Sequence, residues 1–117
     1  MKITICGSIA FYDEMVNIKK ELERLEHIVK MPPSALRNSN EEVISSKEFY
    51  KIRKQENIKD EWVWALKESA IREHFKKIEW ADAILVLNYE KNNIQGYVGP
   101  STLMEMGLAF YLNKKIY

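Results

Sequence analysis

The chain has 117 residues, 46% of them apolar and 30% charged, with a formal net charge of +1. That is the size of one small domain, with enough apolar material for a single core. The even charge balance excludes the electrostatic footprint of a nucleic-acid binder or of a protein held on an acidic membrane.

"KITIC" (residues 2–6) is a β-rich run stopped by Gly7 and reads as a strand. This N-terminus lacks the long apolar stretch of a signal peptide, and no run in the chain approaches the roughly 20 apolar residues of a membrane span. Cys6 is the single cysteine, which excludes an internal disulfide and fits a reducing compartment. Within a strand it reads as buried and inert. A cytoplasmic protein is the expectation. "DEMVNIKKELERLE" then sets Met15, Ile18, Leu22 and Leu25 at helical spacing, with Asp13 as its cap. "HIVKMPP" is a second short strand, closed by Pro32 and Pro33, so the chain begins as a βαβ unit.

Residues 34–59 are polar and charged and hold no Gly or Pro, which is compatible with helix; the length marks a functional insertion or a mobile segment. "DEWVWALKESAIREHFKKIEWA" reads as a helix with Trp62, Leu66, Ala70, Phe75 and Ile78 on its apolar stripe. Trp62, Trp64 and Trp80 read as core. Asp82 opens the next element and is expected to cap it or bond locally. "AILVLN" (residues 83–88) is a continuous apolar run, the mark of a central parallel strand. After the loop "YEKNNIQGYVG" comes an apolar helix, and "NKKIY" looks like the start of another strand.

Gly7, Gly96 and Gly99 fall at strand-to-helix turns, which in a doubly wound sheet lie at the carboxyl edge where ligands bind. Tight turns need glycine in any case. In "CGSIAF", the turn at Gly7, Ser8 and Ile9 offers backbone N–H groups and a hydroxyl suited to an anion or a sugar; a plain capped turn explains it equally well. Glu105 is the only charge between Leu103 and Leu112. Thr102-Leu103-Met104-Glu105 fits a capping box. If the helix starts instead at Pro100, Glu105 lies in the second turn above Leu108, Ala109 and Leu112. A carboxylate there needs hydrogen-bond partners or a chemical task. His74 is read either as a packed helix residue or as a catalytic one.

Taken together, "ICGSI", "WADAILVLN" and "GPSTLMEMGLAFYLNKKI" resemble the nucleoside 2-deoxyribosyltransferase-like superfamily, which includes the deoxynucleoside monophosphate N-glycosidases. The resemblance covers most of the chain in order, except residues 34–59. It implies an α/β fold, a Rossmann-like or flavodoxin-like three-layer sandwich with a parallel sheet of four to five strands. The whole chain, 1–117, would be one such domain, with 34–59 a variable insertion. The family continues with a strand and helix beyond the Lys114-Lys115 pair.

The resemblance makes Glu105 a nucleophile that attacks the anomeric carbon of a nucleoside or nucleotide, giving a glycosyl-enzyme. The apolar helix should raise its pKa, with Ser8, Ser101 and Thr102 as candidate donors to offset that. Gly7, Ser8, Ile9, Asn88, Gly99, Ser101 and Thr102 become substrate-binding candidates. No cofactor and no metal site is expected, the partner is a small molecule rather than nucleic acid or membrane, and a homodimer fits. Several positions depart from the family pattern. Ala10-Phe11-Tyr12 stand where the N-glycosidases carry an arginine and glycines for a 5′-phosphate. Ile5 stands for a tyrosine, Gly99 for Asp or Ser, and His74 for an aspartate. His74 is then an acid toward the leaving base or a partner of the sugar. A non-catalytic nucleotide-binding module is the second reading, and an assembly subunit built on "GLAFYL" a third.

Overall fold

The computed structural model describes residues 1–38, 40–55 and 59–117. Its strands are β1 (Lys2–Gly7), β2 (Ile28–Lys30), β3 (Ala35–Arg37), β4 (Val43–Ser45), β5 (Ala83–Leu87) and β6 (Lys115–Ile116). Its α-helices are α1 (Tyr12–Arg24), α2 (Ser46–Arg53), α3 (Glu61–Trp80) and α4 (Pro100–Tyr111). A 3-10 turn, Ile9–Phe11, precedes α1. Among the described residues no helix is long and apolar enough to cross a membrane.

Two compact units divide the chain. The first holds residues 1–32 and 74–117, and contains a four-stranded sheet of order β2-β1-β5-β6 in which every pairing is parallel. Alternation along β1 and β5 sorts their side chains onto the two faces. Ile3, Ile5, Leu85 and Leu87 pack with Phe11, Met15, Ile18 and Leu22 of the α1 layer. Cys6, Ile84 and Val86 pack with Phe75 and Ile78 of α3 and with Met106, Leu108 and Ala109 of α4. The unit is therefore a helix–sheet–helix sandwich. Ile5, Met15, Ile78 and Ile84 are fully buried, each contributing about 1.5–3 kcal/mol of transfer free energy.

The strand order reverses between β1 and β5. The chain leaves β1 for β2 on one side, while β6 joins β5 on the other. The carboxyl ends of β1 and β5 lie side by side, with Gly7 opposite Leu87, at the switch point where open α/β sheets bind ligands. Gly7 is required there: a Cβ would meet the Leu87 carbonyl oxygen at 3.0 Å. Asp82 is exposed but does not bond locally. Its Oδ2 accepts the Lys2 N–H at 2.8 Å, joining the start of β5 to the start of β1.

The second unit, residues 33–73, has a core of Phe49, Val63 and Leu66, with Leu36, Ile44 and Ile52 against it. Its β3–β4 hairpin is antiparallel, and Ser45 caps α2 by accepting the Glu48 N–H at 3.0 Å. Residues 34–59 thus contain a hairpin as well as a helix; Ser39 and residues 56–58 of that stretch lie outside the described residues. The hairpin turns at Asn38, whose side chain accepts the N–H groups of Asn40 and Glu42. Asparagine makes such a turn without glycine or proline.

Two details correct the sequence reading. Asp13 does not cap α1: it sits in the first turn, because the 3-10 turn capped by Ser8 runs directly into the helix. Trp62 and Trp64 are not core residues, being 41% and 48% exposed. Val63, between them, takes the buried position.

Candidate active site

α4 begins at Pro100 with Gly99 as its N-cap, and no side chain caps it. Proline suits the first helical position because that turn has no intrahelical use for an N–H. Thr102 is therefore inside the helix, and the capping-box reading of Thr102 and Glu105 fails. Glu105 lies in the second turn. Thr102, Glu105 and Ala109 form the buried face of the helix, a spacing of three and four residues that follows one side.

Glu105 approaches His74 on the same side of the sheet, and through it Cys6. Its Oε2 is 3.7 Å from Nε2 of His74, and the same Nε2 is 3.5 Å from Sγ of Cys6. All three residues are buried: Cys6 completely, His74 at 7% exposure and Glu105 at 9%. Strand alternation explains Cys6. Thr4 and Cys6 share one face of β1; the Thr4 hydroxyl donates to the Lys77 carbonyl at 2.8 Å, and Cys6 meets His74 one turn earlier on α3. His74 and Ile78, a turn apart, both face the sheet.

Burial pushes the His74 pKa down to about 4. Lys77 acts in the same direction, and the Ile5 carbonyl beside the ring acts against it. Nδ1 is buried and makes no well-formed hydrogen bond among the described residues. His74 is thus a neutral imidazole at pH 7. Burial also raises the Cys6 thiol well above its ordinary range, and Glu105 adds to that shift. Cys6 is a protonated thiol in this environment.

The turn after β1 has a different partner. Ser8 Oγ accepts the Ala10 N–H at 3.2 Å and a bond from Lys91 Nζ at 3.0 Å. Lys91 lies in the loop after β5 and also sits over the Tyr97 ring, 4.7 Å from its centroid. The two strand ends at the switch point are therefore bridged by a hydroxyl and an ammonium. Gly7 and Ile9 flank Ser8 and are half-buried; Asn88 is exposed at the end of β5. Gly99, Ser101 and Thr102 form the start of α4, with Thr102 buried and the other two partly exposed.

A solved enzyme has this architecture. The 2-deoxyribosyltransferase of the psychrotolerant bacterium Bacillus psychrosaccharolyticus superposes with a TM-score of 0.58 at 17% sequence identity, over 99% of this chain and 69% of that one. The chain has the nucleoside 2-deoxyribosyltransferase-like fold. No protein-family model matches it, and no curated protein matches it in sequence.

Within this fold, His74 and Glu105 come together as two of the residues singled out from sequence, while Ser8 is engaged with Lys91. Sequence reasoning missed Lys91 and the place of Cys6. Lys91 carried a usable signal, a cation in the loop that leaves the central strand at the ligand edge. Cys6 could be found only once the face of β1 was known.

Proposed function

We propose that this protein cleaves or transfers the N-glycosidic bond of a nucleoside or nucleotide, with Glu105 as the nucleophile. The observation that carries this reading is the position of Glu105, a buried carboxylate in the second turn of α4, where it does not serve as the helix cap. It faces the end of β1 at the switch point of the sheet. Desolvating a carboxylate is costly, and such a cost is commonly tied to a chemical task. The structural relative, a 2-deoxyribosyltransferase described as a biocatalyst for nucleoside synthesis, supports the substrate class.

In this reading a Glu105 oxygen bonds to the anomeric carbon as the C–N bond breaks, and that electron pair leaves with the base. Water or a second base then displaces the carboxylate, giving hydrolysis or transfer. His74 is neutral, so it hydrogen-bonds the carboxylate or a sugar hydroxyl rather than serving as an imidazolium acid. Ser8 and Lys91 hold the 5′ end of the sugar, where an ammonium favours a phosphate. Gly7, Ile9, Asn88, Gly99, Ser101 and Thr102 are the further binding positions, and the chemistry calls on no cofactor. The protein is taken as a homodimer, supported by the outer face of α4, where Leu103, Met104, Phe110 and Tyr111 are exposed.

The test is chromatography of free base released from nucleosides and their 5′-monophosphates, wild type beside Glu105→Gln. Release by the wild type that disappears in the variant supports the reading. Binding of a nucleotide by folded protein with no release from any substrate favours the non-catalytic module instead.

A further inference from the structure

Three donor atoms of different chemistry converge in the sandwich. Cys6 Sγ, His74 Nε2 and a Glu105 oxygen all lie within 4.8 Å of one another. A nucleophilic triad is a poor description of them, because a triad uses both ring nitrogens, one for each partner. Here the sulfur and the carboxylate both approach Nε2. Donors gathered around one point are the pattern of a metal centre.

We propose that Cys6, His74 and Glu105 form a zinc site with one open coordination position, and that zinc held there withdraws Glu105 from reaction. The second half rests on the function proposed above; the first does not.

The Cys6–His74 pair is spaced for the ion. Bonds of about 2.3 Å to sulfur and about 2.0–2.1 Å to nitrogen, at a tetrahedral angle, put the two donors about 3.5 Å apart. Sγ and Nε2 are 3.5 Å apart. The equivalent nitrogen–oxygen separation is about 3.3 Å, against 3.7 Å for His74 and Glu105; the widest separation among the three donors is 4.8 Å, so Glu105 has to swing toward the ion on binding. Charge fits as well. A dication with one thiolate, one carboxylate and one neutral imidazole is electrically neutral, so the filled site carries no net charge into the core. The donor set of sulfur, imidazole and carboxylate suits zinc. With Nε2 turned to the other two donors, the ring proton would sit on Nδ1, the arrangement common to metal-bound histidines.

On binding, the thiol proton of Cys6 passes to solvent, and sulfur and Nε2 each donate a lone pair to the ion. One Glu105 oxygen does the same, so its lone pair is no longer directed at a sugar carbon. The fourth position holds water.

The test uses the full chain, stripped of metal and titrated with Co²⁺ as the probe. Because the chain has one cysteine, a thiolate-to-cobalt charge-transfer band can come only from Cys6. The expected result is saturation at one equivalent, with that near-ultraviolet band and strong tetrahedral visible bands, all bleached by Zn²⁺. Cys6→Ser should abolish the charge-transfer band, and His74→Gln should weaken zinc binding at least tenfold. No such band at saturating cobalt, or unchanged zinc affinity in Cys6→Ser, overturns the site. Should Cys6→Ser fail to fold by circular dichroism, X-ray absorption of the zinc-loaded wild type decides: one sulfur at about 2.3 Å supports the site, and an all-nitrogen-and-oxygen shell overturns it. Zinc should suppress base release reversibly by chelator, at the concentration that fills the spectroscopic site. Release that persists at saturation overturns the inhibitory half. A protein that releases no base from any substrate sinks the glycosidic reading and with it the inhibitory half, while the cobalt spectrum still decides the metal site.

Discussion

Replacing His74 with glutamine should change how the stability of the protein responds to acid. In the unfolded chain the imidazole takes a proton below about pH 6.5. In the fold, burial holds it neutral down to about pH 4. The stability tied to the neutral ring is therefore complete above the unfolded pKa and is lost as pH falls through that window. A drop of this size corresponds to roughly 3 kcal/mol, at about 1.4 kcal/mol per pH unit. With His74 only 7% exposed, solvent screening takes little from that figure. The assay is urea unfolding of both proteins across the range, followed by circular dichroism. His74→Gln starts less stable at pH 7, because it leaves a packed position imperfectly filled, but it lacks this titration. The gap between the two proteins should close by roughly 3 kcal/mol towards pH 4. Parallel profiles would refute the argument. A gap that widens in acid would refute it in a specific way: Glu105, 3.7 Å away, would then be holding His74 protonated against the cost of burial.

Lys91→Met removes the ammonium beside Ser8. It should raise KM for 5′-monophosphates about tenfold over the change seen for nucleosides, with kcat kept, since a charge-assisted bond is worth about 1.5–3 kcal/mol; equal effects on both substrate classes count against the assignment. Gly7→Ala forces a methyl to within 3.0 Å of the Leu87 oxygen, and thermal unfolding should show a loss of about 1–3 kcal/mol; an unchanged Tm would mean that β1 and β5 can separate freely there. Phe110 is 78% exposed on α4, on the face assigned to the proposed homodimer. Light scattering should show a wild-type dimer and a Phe110→Glu monomer, and a monomeric wild type contradicts that assembly.

The sequence by itself determined the βαβ start, the central strand and the last helix, because their signals are local. Apolar runs of β-rich residues, helical spacing and glycine or proline stops act over a few neighbours. It also drew attention to Glu105, since one charge in an apolar helix needs a reason. Between capping and a site, the local pattern was balanced, and only the start of α4 at Pro100 decided it. The hairpin in residues 34–59 was hidden because one asparagine side chain, that of Asn38, rather than glycine, makes its turn. His74 could be read as packed or catalytic until its ring was seen against β1. Cys6 reads from the sequence as buried, and it is, yet burial places its sulfur 3.5 Å from an imidazole that is 68 residues away. Contacts of that kind depend on which face of a strand meets which face of a helix. The alternation of β1 supplies one face, the turns of α3 and α4 the others, and only packing the three together brings Cys6, His74 and Glu105 within 4.8 Å of one another.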